Sequence, residues 1–194
     1  MFGNDKPTRL ILVRPGATDL DDQGRIKGCL DMPLSETGWI QSETIAMELA
    51  GESIDELYCG PTQAALETAD AILEGRSGTR KRVLDCLQNV DQGLWHGKLI
   101  DEVRRQLPKI YKRGHDDAEV LCPPGGETLG EAKQRVQKLV RKILRRSRGT
   151  VAIVVSDPLA SVIESLLSGR AVSDLWASET NTGSWKLAES PAMS

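Results

Sequence analysis

The chain is poor in the residues that most often build metal centres and disulfide frameworks. It has two histidines, His96 and His115, and four cysteines, Cys29, Cys59, Cys86 and Cys122, scattered so that no Cys-x-x-Cys pair occurs. This spacing offers no metal set and no disulfide scaffold, so the cysteines are expected to be reduced, small core or near-core residues, and no metal or cofactor is expected. No apolar run approaches the roughly 18 residues a membrane span requires. Met1 to Arg9 has no apolar signal segment. The expectations are a cytoplasmic location and no membrane partner. Internal repeats, low-complexity tracts and interdomain linkers are missing too. With 194 residues, 39% of them hydrophobic, the chain is predicted to form a single domain, 1–194, that buries its core unaided.

The net charge of −3 conceals a split, because residues 75–148 carry +9 and the remainder −12. Much of the positive charge falls on one predicted helix, in Lys133, Arg135, Lys138, Arg141, Lys142, Arg145, Arg146 and Arg148. A solvated helix face is favoured over a nucleic-acid surface, since no aromatic residues are interleaved and cations suit a helix C-terminus anyway.

Hydrophobic periodicity predicts alternating strands and helices. Arg9 to Val13 is a continuous apolar run, as in a strand covered on both faces. Ser35 caps a predicted helix to about Ala50, with Ile45 and Leu49 on one face. "IDELYCG" reads as a second strand, and "PTQAALETADAILEG" as a helix with Pro61 at its start and a stripe of Ala65, Ala69 and Leu73. "RVLDCL" is a third strand candidate. Residues 99–107 form a short helix ended by Pro108, and residues 108–127 read as loop. Thr128 and Glu131 make a capping box before a long amphipathic helix. "TVAIVVSD", "ASVIESLLSG" and "GSWKLAE" follow as strand, helix and last strand. Such alternation predicts a largely parallel sheet with helices on both faces, and in such sheets ligands sit outside the carboxyl ends of the strands. Two strands end there in polar residues, one in Arg14-Pro15-Gly16 and one in Ser156-Asp157-Pro158.

Several segments, read in order, carry a resemblance over nearly the whole chain. They are Leu12-Val13-Arg14-Pro15-Gly16-Ala17-Thr18, "GRIKGCLDMPLSETG", "LYCGPTQAALETADAI", "LQNVDQGLWHG", "PPGGET", "VVSDPLASVIESLL" and "TNTGSWKL". Together they resemble the histidine phosphatase superfamily, the phosphoglycerate mutase-like fold. The resemblance implies an α/β, three-layer α/β/α sandwich with a mostly parallel central sheet. It also implies a site in which one histidine attacks phosphorus, a second histidine and two arginines bind the phosphoryl group, and a carboxylic acid protonates the leaving group. Matched position by position, the first arginine is Arg14. The nucleophile position holds Pro15, the second arginine falls on Ala64, the acid on Asn89, and the second histidine on Asp157.

Proline has no nitrogen that can attack, and an amide cannot deliver a proton near neutral pH. Exchanging a cation for Asp157 also reverses an interaction worth ~4 kcal/mol at about 4 Å and an effective dielectric of 20. Arg14, Pro15, Ala64, Asn89 and Asp157 are therefore expected to be vestigial site positions with no catalytic residue among them. An ion pair between Arg14 and Asp157 is favoured over anion binding. Arg25 and Lys27 are, with Arg14, the candidate anion-binding groups, although solvated loop charges are favoured for both. His96 as a displaced nucleophile lacks a visible partner, His115 lies in a charged loop, and Cys59 reads as a packed small residue.

The favoured reading is a pseudoenzyme, a pseudophosphatase that binds a protein partner or a small ligand, with nucleic acid disfavoured. The alternative is a phosphomonoesterase or other hydrolase with a relocated nucleophile in the same cleft, which predicts a metal, a reactive cysteine or an imidazole within reach of Arg14. A second alternative is a phospho-ligand sensor.

Overall fold

The computed structural model describes residues 9–188 apart from 117, 148 and 173. Residues 1–8, Arg148 of the basic run and Glu189 of the last predicted strand lie outside the described residues. In chain order the elements are β1 (Arg9–Arg14), α1 (Asp19–Asp22), α2 (Glu36–Glu48), β2 (Glu56–Cys59), α3 (Gln63–Leu73), β3 (Arg80–Val83), α4 (Ile100–Gln106) and α5 (Pro108–Asp116). These are followed by α6 (Leu129–Arg146), β4 (Thr150–Val154), α7 (Leu159–Ser168), α8 (Leu175–Glu179) and β5 (Ser184–Ala188). Short 3-10 turns stand at Asp85–Leu87, Gly93–Trp95 and Ala118–Val120.

Among the described residues, five strands form one sheet in the order β3-β2-β4-β1-β5, parallel except for β5. Successive side chains of a strand point to opposite faces, so the apolar run of β1 divides in two. Leu10 and Leu12 join Val151 and Ile153 of β4 beneath α6 and α7, where Val136, Val140, Ile143, Val162 and Ile163 are buried. Ile11 and Val13 join Ala152 and Val154 on the other face, under Ile45 and Leu49 of the α2 segment and Ala65, Ala69 and Ile72 of α3. Burial on both faces explains why these strands read as unbroken apolar runs. The edge strand β3 is Arg-Lys-Arg-Val and mostly exposed, a composition that discourages edge-to-edge pairing.

The chain after β1 runs tightly over the start of α2. A Cβ at Gly16 would strike the carbonyl of Gly38, and one at Gly38 would strike the carbonyl of Ala17. Only residues without side chains permit that approach. It fixes the direction in which the chain leaves Arg14.

Three expectations are corrected. Residues 108–127 are loop only in part: Pro108 opens α5, a position where its missing N–H costs nothing, and Tyr111 of that helix stacks on Trp176 at 5.1 Å, while 121–127 stay irregular. The third strand ends at Val83 because its partner β2 ends at Cys59, and Asp85–Leu87 turns away as 3-10 helix. The cysteines also diverge. Cys59 is buried as expected, Cys29 and Cys86 are half-buried, Cys122 is exposed, and all four are free thiols. No described helix is long and apolar enough to cross a membrane.

Candidate active site

The tips of the two adjacent parallel strands β1 and β4 bring Arg14 and Asp157 together, since Val13 is in register with Val154. The Arg14 guanidinium donates from Nε to Asp157 Oδ2, and from Nη2 to Glu164 Oε1 at 2.6 Å and Ser161 Oγ at 3.4 Å. Lys186, on the antiparallel strand β5, pairs with the other oxygen of Glu164. Two cations and two carboxylates thus form one line, Asp157–Arg14–Glu164–Lys186. Burial works to lower the Arg14 pKa, but the Asp157 and Glu164 carboxylates outweigh it and hold the guanidinium above its ordinary value. Asp157 Oδ1 also accepts the Ser161 backbone N–H at 2.8 Å, so a side-chain carboxylate occupies the positive end of α7.

Asn89 acts as a bridge. Its Nδ2 donates at 2.8 Å to the carbonyls of both Gly28 and Asp157, while its Oδ1 accepts from the Leu159 N–H at 3.2 Å. One buried amide therefore locks the loop at residue 28 against the end of β4. Pro15 is buried in the strand-to-loop turn, its carbonyl accepting from Gly183 at 2.7 Å. Ala64 is buried at the start of α3, where its N–H donates to Met32 O at 3.0 Å. Lys27 is not a solvated loop charge. Its amine donates to Asp21 at 2.8 and 3.0 Å, with both side chains under one tenth exposed, because Asp21 also gathers the N–H and hydroxyl of Thr18 and has become the hub of that loop. Arg25 donates to the Gly97 carbonyl at 2.6 Å and to Gln23 at 2.9 Å. Neither is aimed at Arg14. His115 pairs with Asp174 at 3.0 Å on an exposed surface.

A second cluster adjoins the Gly28 carbonyl. Gly28 takes φ +52°, and the His96 ring covers it where a Cβ would stand. His96 Nε2 lies 3.6 Å from Cys29 Sγ and 3.6 Å from Asp91 Oδ1, and it accepts the backbone N–H groups of Cys29 and Gln92 at 3.3 and 3.2 Å. His96 therefore has the positioned partners that its sequence context did not reveal. Burial, followed by the Asp91 carboxylate, pushes the Cys29 thiol up, which speaks against a free thiolate at that position.

Sequence reasoning missed Glu164, Lys186 and Asp91. Glu164 was discoverable from its spacing, since it lies on α7 about two helical turns beyond Asp157. Lys186 and Asp91 carry no linear signal, since β5 and the 91–96 turn reach the site only through folding.

Residues 10–190 match the family model described as the histidine phosphatase superfamily, branch 1. The chain is 29% identical over 181 residues to phosphoserine phosphatase 1 of Hydrogenobacter thermophilus, covering 92% of this chain and 85% of that one. It is 27% identical over 179 residues to the adenosylcobalamin/alpha-ribazole phosphatase of Salmonella typhimurium, covering 91% and 88%. A bifunctional protein of Mycobacterium tuberculosis is 33% identical over 152 residues, 77% of this chain but 41% of that longer protein. Among solved structures, the mycobacterial glucosyl-3-phosphoglycerate phosphatase superposes with a TM-score of 0.79 at 24% identity, over 91% of this chain and 90% of its own. The alpha-ribazole phosphatase of Shigella flexneri gives 0.74 at 22% identity, over 91% and 88%, and both likenesses show the fold.

The expectation of a catalytically inactive pseudophosphatase is corrected by these comparisons, because relatives matched over nine tenths of the chain are named as phosphatases. That expectation set His96 aside because its sequence context shows no partner, whereas the fold brings its imidazole to the Cys29 thiol from a second loop. The five-stranded, mostly parallel sheet between two helical layers agrees with the sequence match from Leu10 onward: the chain belongs to the histidine phosphatase superfamily, branch 1.

Proposed function

We propose that the chain is a phosphomonoesterase for a small phosphorylated molecule, in which the attacking group is a water held at the loop wall formed by residues 28–29 and 91–96 rather than a side chain at residue 15. The observation that carries this reading is the Asn89 bridge. By holding Gly28 O and Asp157 O on one amide nitrogen, it fastens the loop that carries Cys29, on which His96 packs, to Asp157, the residue whose carboxylate pairs with Arg14. Arg14 and Lys186 supply positive charge around Glu164, each carboxylate oxygen holding one cation as a phosphoryl oxygen would. In the reaction, the oxygen of water becomes bonded to phosphorus, the ester phosphorus–oxygen bond breaks, and the leaving oxygen departs as an alcohol with a proton taken from that water. Catalysis of such a step is mostly positioning and charge complementarity, which is why the seat matters as much as the nucleophile. The names of the sequence relatives support the phosphomonoester class.

The test is phosphate release from purified protein with an aryl phosphate, phosphoserine, alpha-ribazole phosphate and glucosyl-3-phosphoglycerate. At least one is expected to be hydrolysed well above the buffer rate. Arg14→Lys, which keeps the charge but loses the fork, should cut kcat/KM by about 100-fold, in the range typical of one lost transition-state donor. A folded wild type that releases nothing across the panel, or a rate indifferent to Arg14, overturns the reading.

A further inference from the structure

The Cys29, Asp91 and His96 donors lie on two loops separated by some sixty residues of chain, yet Sγ, a carboxylate oxygen and a ring nitrogen all come within 4.8 Å of one another. Nε2 is 3.6 Å from each of the other two donors. Around a tetrahedral ion with bonds of about 2.3 Å to sulfur and about 2.0–2.1 Å to nitrogen or oxygen, neighbouring donors stand roughly 3.3–3.6 Å apart. The two separations from Nε2 match those edges with little adjustment.

The surroundings agree with the distances. Nε2 accepts two backbone N–H groups, which places the ring proton on Nδ1, the tautomer that a histidine ligating through Nε2 needs. Both of those bonds, at 3.3 and 3.2 Å, are longer than the usual ~2.9–3.0 Å and are weak competitors for that lone pair. The loops are held from behind. Asp91 Oδ1 accepts the Gly93 N–H at 2.8 Å, the Asp91 carbonyl accepts the Glu127 N–H at 2.9 Å, the Asp91 N–H donates to Glu127 Oε1 at 3.2 Å, and Gln88 Nε2 donates to the Cys29 carbonyl at 2.9 Å. Asp91 has no lysine or arginine partner among the described residues, although its neighbour Glu127 has Arg135. Three electron-rich donors converging without a cation are what an ion would complete.

We infer that Cys29, Asp91 and His96 form a binding site for a zinc-type divalent metal ion. The mixed S, N, O set selects a borderline ion over magnesium or calcium, which favour all-oxygen sites. With three protein ligands a fourth position stays open, and water held there becomes acidic enough to attack at neutral pH. That catalytic role rests on the phosphomonoesterase reading above, while the site itself does not.

Titration of the metal-free protein with Co(II) tests the site. One equivalent should give the intense visible bands of a tetrahedral ion and a thiolate charge-transfer band. Cys29→Ser, nearly isosteric, should remove the charge-transfer band, and Asp91→Asn should weaken Zn(II) binding about 100-fold in competition with a chromophoric chelator. Thermal unfolding establishes that both variants fold, and added Zn(II) should raise the wild-type Tm but not theirs. Cys122→Ser, which changes an exposed thiol elsewhere, should keep the band. Absence of stoichiometric binding, or a charge-transfer band that survives Cys29→Ser, overturns the inference. Phosphate release by a chain that binds no metal also overturns it and leaves the phosphomonoesterase reading standing. Stoichiometric binding by a chain that hydrolyses none of the panel supports the site and overturns that reading instead.

Discussion

Glu164 is held by a cation on each carboxylate oxygen, Arg14 on one and Lys186 on the other, and its side chain is about a quarter exposed. A carboxylate so placed competes directly with an incoming phosphoryl group for the same two cations. Glu164→Gln keeps the shape and removes the charge, so inorganic phosphate is expected to bind about tenfold more tightly, or ~1.4 kcal/mol. Calorimetry at low salt measures this, and unchanged affinity would place the phosphate seat elsewhere. Asp157 behaves differently, because its carboxylate is almost wholly buried, bonded to the Ser161 N–H and paired with Nε of Arg14. It fixes the guanidinium rather than competing for its outer edge. The same residue-level view explains why the sequence misplaced Lys27. Lysine is seldom buried, but the partner that permits burial, Asp21, lies six residues back in the chain, and no general preference reveals that pairing.

At the level of elements, local chemistry was the better guide. Ser35 accepts from the Gly38 N–H as an N-cap should, and the Thr128–Glu131 capping box forms in full at the head of α6. Backbone and side-chain bonds from Thr128 hold the Glu131 carboxyl below its ordinary 4.5. A depressed carboxylate pKa stabilises the folded state above the unfolded value. That contribution should disappear as pH falls below about 4.5 and through the lower folded value. Thr128→Ala is expected to cost about 1 kcal/mol at neutral pH. It should also flatten the acid limb of the stability curve followed by urea unfolding. If its acid limb remained identical to wild type, the box would not be the source. Helix α5 marks the limit of local reading. Nothing in residues 108–116 competes with a loop assignment until Trp176, far along the chain, donates its indole N–H to the Tyr111 carbonyl at 2.8 Å and stacks on the Tyr111 ring. The last strand was legible as a strand, but its antiparallel pairing with β1 was not, because one strand's composition does not state the direction of its neighbour.

Across the whole molecule, the sheet separates two apolar layers that share β1 and β4 and little else. Ile72→Val on α3 and Ile143→Val on α6 lie in opposite layers, so each should cost about 1 kcal/mol and the double variant should lose the sum to within ~0.5 kcal/mol. A clear excess or shortfall in chemical denaturation would show that the layers are coupled through the sheet. The layered fold, the order of strands and helices apart from α5, and the two polar strand ends were determined by the sequence, since apolar periodicity, caps and breakers act over a few residues and leave a linear trace. Which groups meet at those ends was decided by the tertiary structure alone. Glu164 and Lys186 close on Arg14 from two elements, and Asp91 and His96 approach Cys29 through a bridge made by Asn89. Such juxtapositions depend on register and loop path, which are properties of the packed chain and are written in no single stretch of it.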